Sequence, residues 1–233
     1  RYLEKIGRYV IDGLEIFGAV MLLVGQTIYQ LRHRPRLKHV FVQMSHLGVD
    51  TLPIVALTML FTGMVITLQR AHEFIRCGAQ STIGGVVAMA VSRELAPVLT
   101  GAVAAAGVGA ATNPVAYLVV PRLIACMIML PLLVVFGDII GTFGGWIVST
   151  YYAGISSFTF IQSIDAFTVA HDVNGGLIKS VFFGVVIAII GCYQGLNAPE
   201  GAEGVGKATT RSVVGSIIVI FIANCFMSLI LYR

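Results

Sequence analysis

Five apolar runs constrain this chain more than any other feature: residues 52–69, 81–110, 115–150, 177–196 and 212–231. Each reaches or approaches the roughly 20 residues that a helix rising ~1.5 Å per residue needs to cross a ~30 Å hydrocarbon layer. The runs do not alternate apolar and polar residues as the strands of a membrane barrel would, so they predict helices. Composition agrees: of 233 residues, 57% are hydrophobic and 11% charged, with a mean hydropathy of +0.91. Water-soluble domains usually carry about 25% charged residues. The expected fold class is an all-α integral membrane protein. With no internal repeat and no low-complexity linker, it reads as one domain over 1–233: an N-terminal segment at 1–40 and a transmembrane bundle at 41–233.

Residues 13–31 are apolar but interrupted by Glu15, Gln26 and Gln30, with the basic cluster "RHRPRLKH" behind them. That mixture predicts a helix lying in the membrane interface more than a crossing. Arg1, Lys5 and Arg8 precede an apolar stretch as in a signal peptide, yet no small-residue A-x-A site follows, so the segment is expected to be retained. The run at 115–150 is too long for a simple crossing and contains Pro121 and Pro131, which predicts a kinked or tilted helix extending beyond the bilayer. The polar connection after it, "YYAGISSFTFIQSIDAFTVAHDVNGG", is expected to include a short helix outside the membrane. Arg32, Arg34, Arg36 and Lys38 place the N-terminal side in the cytoplasm. Five crossings then leave the C-terminal side outside. Lys207 and Arg211 agree with that orientation, and Arg70 and Arg76 run against it.

The net charge of +4 does not indicate nucleic acid, because the basic residues sit beside apolar spans instead of along a polar face. Cys77, Cys126, Cys192 and Cys225 lie far apart without C-x-x-C spacing and are read as packing residues. "GAEGVGKAT" at 201–209 nearly matches a phosphate-binding loop through Gly201, Gly206 and Lys207. Ala208 occupies the place of the magnesium-binding hydroxyl, and the segment joins two spans instead of a strand and a helix. His46, His72 and His171 are isolated and read as interfacial or loop residues. With no metalloprotease, paired-carboxylate or nucleophile-elbow pattern, an enzyme active site is not expected. Two small-residue stripes, Gly101, Ala105 and Gly109, and Gly137, Gly141 and Gly145, recur at the spacing that lets helix backbones approach in lipid.

The exception to this apolar monotony is "SRELAPVLTG" at 92–101. Arg93 lies twelve residues after Ser81, about 18 Å along a helix. A charge near the bilayer centre costs about 2.5–3.5 kcal/mol on insertion scales, so such residues face a protein interior or a watery cavity. Neighbours on a helix point about 100° apart, so Arg93 and Glu94 are expected to meet other helices or flank a cavity instead of pairing with each other. Pro97 has no N–H to give the carbonyl of Arg93, which predicts a kink at the same level. Two readings stay open: a buried salt-bridge anchor to another helix, and the lining of a transport pathway.

Five blocks in order, "GVDTLPIVALTMLFTGMVITLQ", "SRELAPVLTG", "NPVAYLVVPRLIACMIMLPLL", "GGLIKSVFFGVVIAIIGCYQG" and "GAEGVGKATTRSVV", resemble the MlaE-type permeases. These are membrane subunits of MCE-associated ABC lipid transporters in double-membraned bacteria and chloroplasts. The resemblance implies a half-transporter: a homodimer whose subunits each have an interfacial helix and five crossings. It implies a cytoplasmic ABC ATPase that binds ATP and Mg, so no cofactor in this chain, and an MCE-domain protein on the periplasmic side. A small cytoplasmic regulatory subunit and a bacterial inner-membrane location, less readily the chloroplast envelope, complete the picture. Membrane phospholipid would be the cargo, and the pathway would be lined by Arg93, Glu94, Pro97, Gln69, Leu68 and Leu95. One departure stands out: "AAAGVGA" runs directly into "ATNP" at 110–114, where the family continues with an acidic cytoplasmic segment expected to dock on the ATPase. Either the segment is deleted or the sequence closes over a gap there, and a break near Ala110 and Ala111 is expected. The rival readings are an ion- or proton-coupled secondary transporter with Glu94 as the proton carrier, disfavoured by the absence of two related halves, and a non-transporting membrane scaffold.

Overall fold

The computed structural model describes residues 37–110, 119–199 and 201–232, with Gly18, Met21, Leu22 and Gly25 before them. The interfacial helix expected at 13–31 lies, apart from those four positions, outside the described residues, as does Ala111 at the expected break. Among the described residues there are only helices: α1 (Leu37–Arg76), a 3-10 turn (Gln80–Thr82), α2 (Ile83–Ala90), a π-helical turn (Val91–Leu95) and α3 (Ala96–Ala110). Then come α4 (Val119–Tyr151), α5 (Ser157–Phe167), α6 (Ala170–Leu196) and α7 (Ala202–Leu231). Five rods, with α2, the π turn and α3 counted as one, are long and apolar enough to cross a membrane. The chain is an all-α integral membrane protein.

The helices overrun the apolar runs that announce them. The first run spans 52–69, yet α1 has 40 residues and so extends about 60 Å, twice the hydrocarbon thickness. Hydropathy reports only the part of a helix that meets lipid tails, whereas backbone hydrogen bonding continues past it. Pro121 is the third residue of α4, in the first turn, where its missing N–H has no intrahelical partner to lose. Pro53 and Pro131 sit inside α1 and α4 without ending them.

The glycine stripes set the packing. A Cβ on Gly63 of α1 would lie 1.9 Å from Gly141 O of α4, and one on Gly144 would lie 2.4 Å from Leu60 O, so these two helices touch backbone to backbone. Gly137, Gly141 and Gly145 receive Met59, Val91, Thr67 and Val87. Gly101 faces Ile220 and Phe183, and Ala105 is buried beside them. The expected short helix is α5. It lies on α2, where Gly84 and Gly85 leave room for the Phe160 and Ser163 carbonyls, and Gly85 N–H donates to Ser163 Oγ at 2.9 Å. Cys126 and Cys192 are buried and Cys77 and Cys225 exposed, all as free thiols. The near-match to a phosphate loop is the start of α7, where Glu203 and Lys207 pair across one turn at 2.7 Å.

Candidate functional site

Pro97 organises the polar centre. Because it cannot donate to Arg93 O, the helix widens through Val91–Leu95, with Ala96 N–H reaching Val91 O. The expected kink takes this π-helical form. The freed Arg93 carbonyl accepts instead from Lys179 Nζ of α6 at 2.8 Å. That approach depends on two glycines one turn earlier in α6: a Cβ on Gly176 would lie 2.3 Å from Ser92 O, and one on Gly175 would lie 2.4 Å from Tyr232 Oη.

Arg93 and Glu94 turn away from each other, as neighbours on a helix must. Arg93 engages Asp172 Oδ1 through Nε at 2.7 Å and Nη2 at 2.5 Å. Asp172 is held by accepting the Val169 N–H at the start of α6 at 3.1 Å. Glu94 Oε1 accepts from Lys179 Nζ at 3.0 Å and Ser228 Oγ at 2.8 Å, and Oε2 accepts from Asn224 Nδ2 at 2.7 Å. Lys179 also donates to Ser228 Oγ at 2.7 Å. Both cations lie over the Tyr232 ring, Arg93 Cζ at 4.5 Å and Lys179 Nζ at 5.0 Å from its centroid, a geometry that attracts cations to the aromatic face. Burial pushes the Tyr232 phenol up from its ordinary value while the Arg93 guanidinium pulls it down; it stays a neutral donor, 3.4 Å from Asp172 O.

Exposure divides the cluster. The Lys179 and Asp172 side chains are 0% and 1% exposed, whereas Arg93 and Glu94 keep 32% and 42%. Two ion pairs link the π turn to α6 while Arg93 and Glu94 stay partly exposed, a geometry that accommodates either reading. Arg93 is also nearer a helix end than its distance from Ser81 suggested. Its partner Asp172 is the third residue of α6, and Tyr232 follows the last residue of α7. The start of the α2 rod reaches past that level to meet α5.

Of the other sequence-derived pathway residues, Pro97 is buried against Gly176 and Leu95 packs into the apolar core. Leu68 and Gln69 lie on the exposed side of α1 and, among the described residues, make no hydrogen bond or ion pair with the cluster. Sequence reasoning missed Asp172, Lys179, Asn224, Ser228 and Tyr232. It also missed Asp138 of α4, whose Oδ1 is buried without a hydrogen-bond partner. The signal that flagged Arg93, a charge within an apolar run, was present for Lys179 and Asp138 as well. At the other end of the bundle, buried Arg122 donates through Nη2 to Val108 O and ties the end of α3 to the start of α4.

A family model described as Permease MlaE matches residues 40–113 and 110–230, two pieces that meet at the place where a break is expected. A "Probable ABC transporter permease protein" of Synechocystis sp. is 41% identical over 92% of this chain and 90% of its own length. One of Rickettsia felis is 35% identical over 100% of this chain and 94% of its own. That alignment spans 254 positions against 233 residues here, so 254 less 233 leaves about 21 positions without a counterpart in this chain. The Arabidopsis thaliana "Protein TRIGALACTOSYLDIACYLGLYCEROL 1, chloroplastic" is 32% identical over 95% of this chain and 68% of its own length. With the matched segments covering the whole bundle, the chain belongs to the MlaE permease family of ABC transporter permeases.

Proposed function

We propose that this chain is the membrane half of an ATP-driven phospholipid transporter, working as a homodimer in the inner membrane of a double-membraned bacterium. A separate cytoplasmic ATPase would bind ATP and Mg, and an MCE-domain protein would exchange lipid on the far side. The observation that carries the reading is the Arg93–Glu94 edge, a partly exposed guanidinium and carboxylate held by α6 and α7 within a mainly apolar bundle. Charges kept at such a site in a membrane protein ordinarily serve a substrate or ion path. Acyl chains would run along apolar helix faces, with the headgroup against Arg93 and Glu94. The α3–α4 connection faces the cytoplasm in this scheme, the side on which the ATPase would dock.

The test is lipid transport by the assembled complex carrying Arg93→Gln and Glu94→Gln together. Loss of transport with assembly retained is the expected result, and unchanged transport removes the site assignment. Native mass spectrometry of the extracted complex should count two permeases, two ATPases and retained phospholipid. A lone, lipid-free monomer would favour the secondary carrier.

A further inference from the structure

The hydrogen bonds around Glu94 are unevenly supplied. Lys179 has three N–H groups, and all three are spent, on Arg93 O, Glu94 Oε1 and Ser228 Oγ. The single Ser228 O–H goes to Glu94 Oε1. Asn224 turns Nδ2 to Glu94 Oε2, the only orientation that avoids setting its amide oxygen against a carboxylate, and its Oδ1 is left buried without a donor. A carboxylate accepts about four hydrogen bonds, and Glu94 receives three from the protein while remaining partly open. Elsewhere on α4, Asp138 Oδ1 is likewise buried without a donor. The unmet need is for donors.

Charge within the cluster is already balanced, Arg93 by Asp172 and Lys179 by Glu94, so the headgroup that fits is one that adds no net charge of its own. We propose that the Glu94 site takes a primary ammonium, the amine of an ethanolamine-type phospholipid headgroup, with Glu94 and Asn224 Oδ1 as its acceptors. The inference rests on the phospholipid-transport reading and narrows its substrate. A primary ammonium brings both a positive charge and three N–H donors. A choline headgroup brings the charge without donors, and a glycerol headgroup leaves the phosphate's negative charge beside a carboxylate. Arg93 has five donors and spends two nitrogens on Asp172, which leaves N–H groups for the phosphate adjoining the amine.

The experiment is native mass spectrometry of the complex after equilibration with equimolar phosphatidylethanolamine, phosphatidylcholine and phosphatidylglycerol. The expected result is retention of the ethanolamine lipid over the glycerol lipid by about tenfold, equivalent to about 1.4 kcal/mol, with choline between them. Glu94→Gln should bring that ratio toward one while total lipid stays bound. Asn224→Leu, which leaves the Lys179 pair in place, should reduce it as well. Equal retention of the three lipids, or a glycerol preference, overturns the headgroup inference alone. No lipid of any class overturns the transport reading with it. Free ethanolamine in molar excess should leave the ratio unchanged; if it displaces the lipid, the site belongs to a soluble amine and the proposal fails.

Discussion

The α1–α4 contact and the Arg93–Glu94 cluster hold helices together in opposite ways. In the first, glycine removes side chains so that Gly63 meets Gly141 O and Gly144 meets Leu60 O, with backbone against backbone and no charge involved. In the second, the π turn, α6 and α7 are joined by two ion pairs and a lysine shared among three acceptors. Lipid tails are as apolar as leucine, so only close packing or polar pairing can favour one helix for another. Packing of the first kind leaves nothing for a ligand to exchange with. The second leaves a half-open carboxylate.

The sharpest way to break this contrast is Lys179→Met. It strips one contact from Glu94 and orphans Arg93 O again. Removing one partner of a buried pair costs ~3–5 kcal/mol, and the low end, about 3 kcal/mol, is expected because Glu94 is partly solvated. Thermal unfolding in detergent would measure it, and Lys179→Met with Glu94→Leu should recover most of the loss. Failure to recover would mean that packing, not charge, holds this region. Next is Gly63→Ala. Its methyl has only the Gly141 backbone to displace, so a loss at or above the ~1–3 kcal/mol typical of overpacking is expected. A variant as stable as the parent would show that α1 and α4 can separate. The smallest effect belongs to Pro97→Ala, which restores an N–H able to compete with Lys179 for Arg93 O. Exchanging one hydrogen bond for another should keep stability within about 1 kcal/mol of the parent. A larger loss would assign the role of Pro97 to its contact with Gly176.

Local regularity explains which features were readable. The glycine stripes could be read because packing in lipid repeats every four residues along one helix, and the partners of Gly137, Gly141 and Gly145 are where that spacing requires. Arg93, Glu94 and Pro97 could be read because a charge or a proline within an apolar run is conspicuous. Their partners could not be assigned, since Asp172, Lys179, Asn224 and Ser228 are 79, 85, 130 and 134 residues away along the chain. Nothing in local pattern says which of several intramembrane polar residues meet. Leu68 and Gln69 show the same limit: sitting in a matching block did not decide which side of α1 they occupy.

By itself the sequence determined a helical membrane protein with five spans and a polar interruption at Arg93–Glu94. Span length, hydropathy and a missing proline N–H act within single helices. Only the tertiary structure decided that the carbonyl freed by Pro97 belongs to Lys179, that Arg93 and Glu94 neutralise separate partners, and that donors run out before acceptors do. Those outcomes depend on how three segments distant in sequence are brought within 3 Å of one another, and in lipid that is settled by which helices can approach closely enough.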